Sequence, residues 1–318
     1  MKSTRFSVIM PLYNKASYVR KAVESVVGQT CKDWELIVVD NGSTDGSGEI
    51  VAKITDSRIR IVRLENNIGP GEARNYGVFQ STSPWICFLD ADDWWGPTFL
   101  EEMTGLIERH PDAGIYGTGY YIVKNGKKRK APIGVGDGFT EGEINYCQVY
   151  AKTLCMPLTS ISVCIPRGVF DEMGGFPTDI RLGEDFLLWI RIALTHKVVM
   201  LNKPLSNYNQ DVDVTYRGTH NKQYNPDTFM TFHFDQFKEE EKTNKDLKLL
   251  LDRIRVYTLM NFRKYNLYPD RVKQEVAKVD FANVEPIYRF YYNAPYWLVK
   301  PYLGGISILS SIKQMIRR

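Results

Sequence analysis

The chain has 318 residues, of which 43% are hydrophobic and 25% are charged, and its net charge is only +4. This composition is ordinary for a globular protein of one large or two average domains, and it excludes wholesale disorder and a polytopic membrane protein. The charge is uneven, because residues 1–216 carry a net −3 and residues 217–318 a net +7. A near-neutral first part argues against general nucleic-acid binding by the main fold.

The cysteines and the N-terminal segment indicate the compartment. The five cysteines form no Cys-x-x-Cys pair, so they indicate reduced thiols and neither a disulfide framework nor a zinc site. The apolar run at residues 6–13 is short and is broken by Pro11, unlike a signal peptide. No run reaches the roughly 18–20 apolar residues that a membrane-spanning helix needs. We therefore expect a cytoplasmic protein.

The first 120 residues alternate between strand and helix patterns. A continuous β-branched run at residues 34–40 is typical of a strand buried on both faces. Strands are predicted at residues 6–12, 34–40, 59–65 and 85–90, and helices at residues 15–29, around 47–54 and at 72–80. Strands that alternate with helices predict βαβ units and a mostly parallel sheet.

The pattern is less regular after residue 115. We expect strands at residues 115–123 and 197–208, a helix at 183–196, and either a hairpin tip or a solvated loop at 125–130. The character changes again beyond residue 216, where residues 246–265 have apolar positions at helical spacing among charges. This segment predicts a helical C-terminal region.

Polar side chains follow three of the first four predicted strands. In a parallel α/β sheet, ligands bind beyond the carboxyl ends of the strands. Asp90 and Asp92 would project from the same face of an extended segment, and paired carboxylates suit a hard divalent ion such as Mg²⁺ or Mn²⁺. The other reading of these aspartates is a helix N-cap before Gly96-Pro97, for which one aspartate would suffice. The candidate residues at these strand ends are Tyr13, Asn14, Asp40, Asp90, Asp92 and Asp93.

Other phosphate-binding and catalytic patterns are missing from the sequence. There is no GxxxxGK[ST] loop, and Gly69-x-Gly71 is followed by Arg74 where a dinucleotide-binding fingerprint needs a third glycine. There is also no GxSxG elbow, and the four histidines follow no ligand or triad spacing. Glu184 and Asp185 lie at the start of a predicted helix, where acidic residues are ordinary capping groups as well as candidate catalysts.

Five segments together resemble the family 2 inverting glycosyltransferases with the GT-A fold. They are PLYN at 11–14, WELIVVDNGSTDGS at 34–47, GPGEARNYG at 69–77, FLDADD at 88–93 and GED at 183–185. The resemblance covers about residues 6–210. It implies an α/β fold with a GT-A-type nucleotide-binding domain, a mostly parallel mixed sheet flanked by helices, and here a helical C-terminal extension. It also implies a UDP- or GDP-linked sugar donor and a divalent metal, Mn or Mg.

The resemblance assigns roles to individual residues. Asp185 would be the catalytic base and Glu184 its neighbour at the acceptor site. Asp92 would bind the metal. The donor-binding residues would be Pro11, Tyr13, Asn14, Asp40, Arg74 and Asp90, with Asp40 at the nucleobase, Arg74 near the base and phosphates, and Asp90 at the ribose. A direct displacement needs no enzyme nucleophile, which agrees with the missing Ser/His and Cys/His pairs.

The sequence departs from the commoner family pattern after the GED segment. Residues 215–220 lack the proline of a basic loop that closes over the diphosphate in many relatives, so Arg217 and His220 either reach the phosphates or lie in a solvated loop. Trp94 and Trp95 suit sugar stacking or the core, and we assign them no role.

The basic, aromatic tail after Glu285 indicates either an interfacial membrane anchor or a packed terminal helix. An anchor would serve a lipid-linked glycan acceptor in bacterial surface polysaccharide synthesis. We therefore expect three parts: residues 1–118 for the donor, 119–216 for the acceptor, and 217–318 as the basic helical region.

Three alternatives to this function differ in sequence features. A sugar-phosphate nucleotidyltransferase should begin with a Gly-rich, Arg-containing loop where this chain has PLYNK. A non-catalytic nucleotide-sugar-binding protein would not need both Asp92 and Asp185. A processive synthase should carry several membrane spans and a QxxRW-type motif, and the sequence has neither.

Overall fold

The chain divides into two units in the computed structural model, which describes residues 5–213 and 225–299. The first unit comprises residues 1–223 and 227–230, and the second comprises residues 224–226 and 231–318. Each unit has its own buried core.

The first half of unit 1 is a parallel sheet with helical crossovers. Its elements are β1 (Phe6–Leu12), α1 (Val19–Val27), β2 (Trp34–Asn41), α2 (Ser47–Ala52), β3 (Ile59–Leu64), α3 (Pro70–Phe79) and β4 (Trp85–Phe88). The strands lie in the order β3-β2-β1-β4, and all of these pairs are parallel. The predicted βαβ pattern is therefore confirmed.

The second half of unit 1 extends the same sheet with mixed strand directions. Its elements are β5 (Trp94–Trp95), α4 (Phe99–Arg109), β6 (Ala113–Lys124), β7 (Lys127–Lys130), β8 (Glu141–Ile144), α5 (Tyr146–Thr153), β9 (Val163–Pro166), α6 (Arg167–Glu172), α7 (Glu184–Thr195) and β10 (Lys197–Asn209). The order continues from β4 as β9-β6-β10-β5, with β7 paired to β6 and β8 paired to β10. The antiparallel strand β9 joins the two parallel parts.

Helix α1 begins later than its apolar stripe predicts, and the reason is local. The backbone N–H of Lys15 donates to Ser47 Oγ at 2.8 Å, and the N–H of Ala16 donates to an Asp45 carboxylate oxygen at 2.9 Å. These bonds hold residues 15–16 against the loop before α2, so the helix starts only at Val19. Its apolar face still packs into the core as predicted, since Val19 and Val26 are fully buried.

The segment predicted as a hairpin tip or a loop is a hairpin. Strand β7 pairs with β6 around Asn125 and Gly126, whose φ angles are 53° and 71°. Two successive residues with positive φ are typical of the tight turns that match the strand twist.

Unit 2 is helical, as the C-terminal pattern predicts. Its helices are α8 (Glu240–Thr243), α9 (Lys245–Lys264), α10 (Pro269–Ala277), α11 (Pro286–Asn293) and α12 (Tyr296–Val299). In α9 the aliphatic positions at helical spacing are buried, whereas Tyr257 is 41% exposed. Arg255 is also buried, and its guanidinium pairs with Glu241 at 2.6 Å. In the described part of the chain, no helix combines the length and the apolarity needed to cross a membrane.

Candidate functional site

The loop after β1 is fastened to the loop after β2. Asn14 has a φ of 50°, its side-chain oxygen accepts from the N–H of Thr44 at 2.9 Å, and its own N–H donates to Ser43 Oγ at 3.1 Å. Tyr13 beside it is 44% exposed. The structure thus brings the predicted donor residues of these two strands to one edge of the sheet.

Asp40 lies at the base of this edge. Its carboxylate is buried and accepts from the N–H of Ser43 at 3.0 Å. A Cβ on Gly48 would collide with the carboxylate, so only glycine lets the start of α2 approach Asp40 this closely. Pro11 is half-buried and is the second-last residue of β1, where it lies opposite Val39 of β2.

Asp90, Asp92 and Asp93 lie on a turn after β4, which we call the aspartate turn. The sequence predicts an extended segment at this place instead. Strand β4 ends at Phe88, and the N–H of Asp93 donates back to the carbonyl of Asp90 at 3.0 Å. Asp90 and Asp92 consequently have different partners: Arg74 Nη2 contacts Asp90 at 2.7 Å, and Lys15 Nζ contacts Asp92 at 2.7 Å. Burial, together with nearby Asp90, raises the pKa of Asp92, whereas Lys15 opposes the rise.

The third aspartate anchors the end of β10. Asp93 is buried and accepts from the backbone N–H of Asn209 at 2.6 Å. Burial and the neighbouring carboxylates raise the pKa of Asp93. The sequence singled out Asp93 only as one of three acidic residues, and its link to β10 depends on strands that are far apart in the chain.

The donor set at Asp92 fits a divalent ion bound through a single protein carboxylate. The described residues contain no group of three His, Cys, Asp or Glu side chains that could hold a metal alone. Asp92 nevertheless offers a hard oxygen ligand, although its carboxylate is paired with the ammonium of Lys15 at 2.7 Å, which a bound metal ion would displace. Mg²⁺ and related ions are commonly bound by one or two carboxylates and complete their coordination with substrate phosphates and water.

Arg74 joins the turn after β4 to the start of α7. It is 4% exposed, and its Nη1 contacts Glu184 Oε1 at 2.8 Å while its Nη2 contacts Asp90. Gly71 permits this arrangement, since a Cβ there would crowd Glu184 and the carbonyl of Pro177. Although burial opposes it, Asp90 and Glu184 hold the pKa of Arg74 above its ordinary value.

Glu184 and Asp185 are adjacent but have different environments. Burial raises the pKa of Glu184 to about 7, even though Arg74 pairs with it. Asp185 accepts from the N–H of Phe186 at 2.8 Å and from Ser160 Oγ at 3.3 Å, and burial raises its pKa too. Among the described residues, Asp185 has no ion-pair partner of its own.

Some predicted residues lie elsewhere, and others were missed. Trp95 is buried, stacks on Phe99 with ring centroids 4.1 Å apart, and donates from Nε1 to the carbonyl of Ile161. Arg217 and His220 lie outside the described residues.

The sequence patterns did not identify Lys15 and Ser160 as site residues. Lys15 directly follows the PLYN segment, which was a usable signal, whereas nothing marked Ser160.

Comparison with known proteins places this geometry in a family. The family model described as glycosyl transferase family 2 matches residues 7–163. The amylovoran biosynthesis glycosyltransferase AmsB of Erwinia amylovora is 30% identical over 70% of this chain and 74% of its own length. The chain belongs to glycosyltransferase family 2.

Further relatives of this family 2 glycosyltransferase differ in length. The UDP-Glc:alpha-D-GlcNAc-diphosphoundecaprenol beta-1,3-glucosyltransferase WfgD of Escherichia coli is 28% identical over 62% of this chain and 72% of its own length. An uncharacterized glycosyltransferase of Rickettsia felis is 32% identical over 65% of this chain, but the match spans only 33% of that protein. Several relatives are therefore about three times as long as the matched segment.

A solved structure confirms the fold. S. aureus TarS 1–349, in complex with UDP-GlcNAc, matches with a TM-score of 0.73 and 20% identity, over 88% of this chain and 82% of that chain. The predicted GT-A fold with a mixed sheet, flanking helices and a helical C-terminal region is therefore confirmed.

Proposed function

We propose that this family 2 chain is an inverting glycosyltransferase that moves a sugar from a UDP-linked donor to a hydroxyl of a glycan acceptor. One observation carries the proposal: among the described residues Asp185 is bonded to no cation and is only half-buried, while Arg74 ties its buried neighbour Glu184 to Asp90. The pKa of Glu184 is raised to about 7, but its carboxylate is enclosed and held by Arg74, so we assign the proton transfer to Asp185. UDP as the nucleotide agrees with the UDP-Glc donor in the name of WfgD and with the UDP-GlcNAc bound to TarS.

The donor would bind across the loops after β1, β2 and β4. Asp40 and Tyr13 would recognise the nucleobase, with Asn14 and Pro11 shaping the loop that carries Tyr13. Asp90 would contact the ribose. Arg74, whose amino groups are both bonded to carboxylates, would hold Asp90 and Glu184 in position more than contact the donor itself.

Asp185 would remove the proton from the acceptor hydroxyl as that oxygen attacks the anomeric carbon. The C–O bond to the diphosphate breaks as the new bond forms, which inverts the configuration, and the diphosphate leaves with the bonding electrons. Asp92 would hold a Mn²⁺ or Mg²⁺ ion, which when bound stabilises negative charge on the leaving diphosphate. Ser160, which donates to Asp185 at 3.3 Å, would orient the base.

A thermal-shift screen tests donor and metal binding. A ligand that binds only the folded state raises the melting temperature by mass action, so we expect UDP with Mn²⁺ to stabilise more than GDP with Mn²⁺ or UDP alone. Asp92→Asn should lose the Mn²⁺-dependent part of the shift, while Asp33→Asn, at an exposed site, should keep it. If no nucleotide shifts the melting temperature, the proposal is wrong. Turnover of a UDP-sugar, measured as UDP release, separates an enzyme from a binding protein.

We further propose that α11 and α12 bring the enzyme to a lipid-linked acceptor in bacterial surface polysaccharide synthesis, at the inner face of the membrane. AmsB is named for amylovoran biosynthesis and WfgD for a diphosphoundecaprenol-linked acceptor, and these two names support the proposal. One side of α11 is packed, since Tyr292 is buried and its hydroxyl donates to the carbonyl of Val256 at 2.6 Å. Ile287, Phe290 and Trp297 are 48%, 55% and 73% exposed, as membrane-surface contacts would be.

Point variants test this membrane proposal without removing the packed side of α11. Phe290→Ser/Trp297→Ser should reduce co-sedimentation with phosphatidylglycerol vesicles. The control Phe79→Ser changes an aromatic residue of unit 1 that is 81% exposed, and it should sediment like the wild type. Equal sedimentation of all three proteins would contradict the membrane proposal while leaving the transferase proposal intact.

A further inference from the structure

The hairpin of β6 and β7 carries a dense positive charge. Lys127–Lys130 are all exposed, and Lys124 lies opposite Lys127 across the turn. The carboxylate of Asp211 accepts from the backbone N–H groups of Asn125 and Gly126, which fixes the turn. We call residues 124–130 the basic hairpin.

In the described part of the chain, ion pairs do not neutralise the charge of the basic hairpin. Within residues 5–213 and 225–299, none of Lys124, Lys127, Lys128 and Arg129 forms an ion pair, and Lys130 donates to a backbone carbonyl, that of Asn202, at 3.2 Å. Lysine on a strand edge also discourages aggregation, so exposure alone does not indicate a ligand. The surroundings of the basic hairpin decide between these two roles.

A cavity of about 430 Å³ lies between the basic hairpin and the aspartate turn. Lys21 and Lys128 line it together with Asp92 and Trp94. The Nζ atom of Lys21 lies 3.0 Å from the ring centroid of Trp94, and the Nζ atom of Lys128 lies 5.8 Å from a Trp94 ring centroid. Burial lowers the pKa of Lys21, and the like charge of Lys128 lowers it further. Two ammonium groups therefore face one cavity.

The carboxylates of this cavity already have other partners. Asp92 pairs with Lys15, Asp93 accepts from the N–H of Asn209, and Asp211 holds the turn of the basic hairpin. Among the described residues, neither Lys21 nor Lys128 forms an ion pair. Hydrogen bonds from neutral N–H groups do not cancel the charge of Asp93 or Asp211, but the five cations of the basic hairpin and Lys21 outnumber these two carboxylates. An anionic ligand would balance the remaining positive charge, and the cavity would connect it to Asp92.

We propose that the basic hairpin and Lys21 bind an acceptor glycan that carries repeated negative charges, as phosphodiester or carboxylate groups. This inference rests on the proposed function and specifies the acceptor's chemical class. The basic hairpin contains no apolar side chain that could enter a lipid surface, which favours a polymer over a membrane. Alternate residues of β7 project to opposite faces, so a flexible chain can meet cations on both sides of the strand.

Direct binding of labelled polymers tests the proposal. The probes are poly(glycerol phosphate), polygalacturonate and uncharged dextran, and the readout is fluorescence anisotropy at low and high salt. The test variant, called the hairpin variant, is Lys128→Thr/Lys130→Thr, which changes the face of β7 that carries the cavity residue Lys128, and threonine suits a strand. The control, Lys53→Thr/Lys197→Thr, removes the same charge from exposed positions. Lys53 directly follows α2, and Lys197 is the first residue of β10.

We expect the wild type to bind at least one polyanion and not dextran, with the preferred polymer identifying phosphate or carboxylate. The hairpin variant should bind it about five- to tenfold more weakly at low salt, and the difference should disappear at high salt, because exposed charges are screened. The control should bind like the wild type. All variants should keep the wild-type affinity for UDP with Mn²⁺.

Several results would overturn the proposal. These are no polyanion binding by the wild type, an equal loss in the control, or a hairpin variant that aggregates but binds the polymer normally. Weaker binding to phosphatidylglycerol vesicles with unchanged polymer binding would assign the hairpin to a membrane instead. Failure of the proposed function would look different: polymer binding would persist while UDP binding and UDP-sugar turnover were absent.

Discussion

At the scale of single residues, one buried arginine distinguishes two adjacent carboxylates. Arg74 bonds to Glu184 but not to Asp185, and Glu184 is buried at the start of α7 whereas Asp185 is half-buried. Burial raises the pKa of each, while the direct ion pair is confined to Glu184. This difference in partners, rather than a difference in residue type, supports the proposal that Asp185 is the base.

Asp185→Asn should abolish turnover and preserve donor binding, because an amide cannot take the acceptor proton. We expect kcat to fall about 10²- to 10⁴-fold, the usual contribution of a general base. UDP release gives kcat, and calorimetry gives the affinity for UDP with Mn²⁺. Asp171→Asn, which changes an exposed aspartate of α6, is the matched control. Near-normal turnover in Asp185→Asn would move the role of base to Glu184.

Above pH 7, where Glu184 is ionised, Arg74→Met should destabilise unit 1 strongly, because it leaves the carboxylate of Glu184 buried without a counter-charge. Removing one partner of a buried ion pair costs about 3–5 kcal/mol of the free energy of unfolding. Urea denaturation measures this loss. The double variant Arg74→Met/Glu184→Gln should recover part of it, since a neutral amide needs no cation. An unchanged urea midpoint in Arg74→Met would show that the pair contributes little.

Glu184 should make stability depend on pH. Its pKa is about 7 in the folded protein and 4.5 ordinarily, so the folded state holds the proton more tightly. The stability from protonated Glu184 is complete below pH 4.5 and is lost as the pH rises to about 7, a change of roughly 3 kcal/mol. The melting temperature of the wild type, relative to Glu184→Gln, should therefore fall across this range. A difference that is constant or rises with pH would contradict this expectation.

At the scale of elements, the start of α7 depends on a glycine. Gly183 has a φ of 89°, and a Cβ there would collide with the side chain of Met230. Left-handed backbone costs a residue with a Cβ about 1–2 kcal/mol, so Gly183→Ala should lower the melting temperature and displace Glu184 and Asp185.

A second glycine offers the control for this substitution. Gly168 lies within α6 with open space around its Cβ position, and Gly168→Ala should stabilise by about 0.5–1 kcal/mol through helix propensity. Differential scanning calorimetry compares the two variants. If Gly183→Ala melts like the wild type, neither the positive φ of Gly183 nor its contact with Met230 constrains the start of α7.

At the scale of the whole molecule, the two units should respond differently to the donor. All proposed donor residues lie in unit 1, and each unit has its own buried core. UDP with Mn²⁺ at about 100 times its dissociation constant should add about 2.7 kcal/mol to the free energy of unfolding of unit 1. Calorimetry of the full chain should show one transition that moves to higher temperature and one that does not. A single transition that moves as a whole would mean that the units unfold together.

Residue patterns alone predict the order of strands and helices in the first 90 residues, and they predict the edge of the sheet at which the loops meet. Periodicity is a local property, and parallel strands necessarily place their carboxyl ends together. The five motifs also determined the family. The roles of individual site residues and the division into donor and acceptor parts stay predictions.

The ion pairs of the site depend on the tertiary structure. Arg74 and Glu184 are 110 residues apart, and Lys15 and Asp92 are 77 apart, so no sequence pattern links either pair. The turn that separates Asp90 from Asp92 likewise forms because these long-range partners and the end of β10 hold it. Electrostatic partners follow from distances in space, and chain folding sets those distances through packing across the whole sheet.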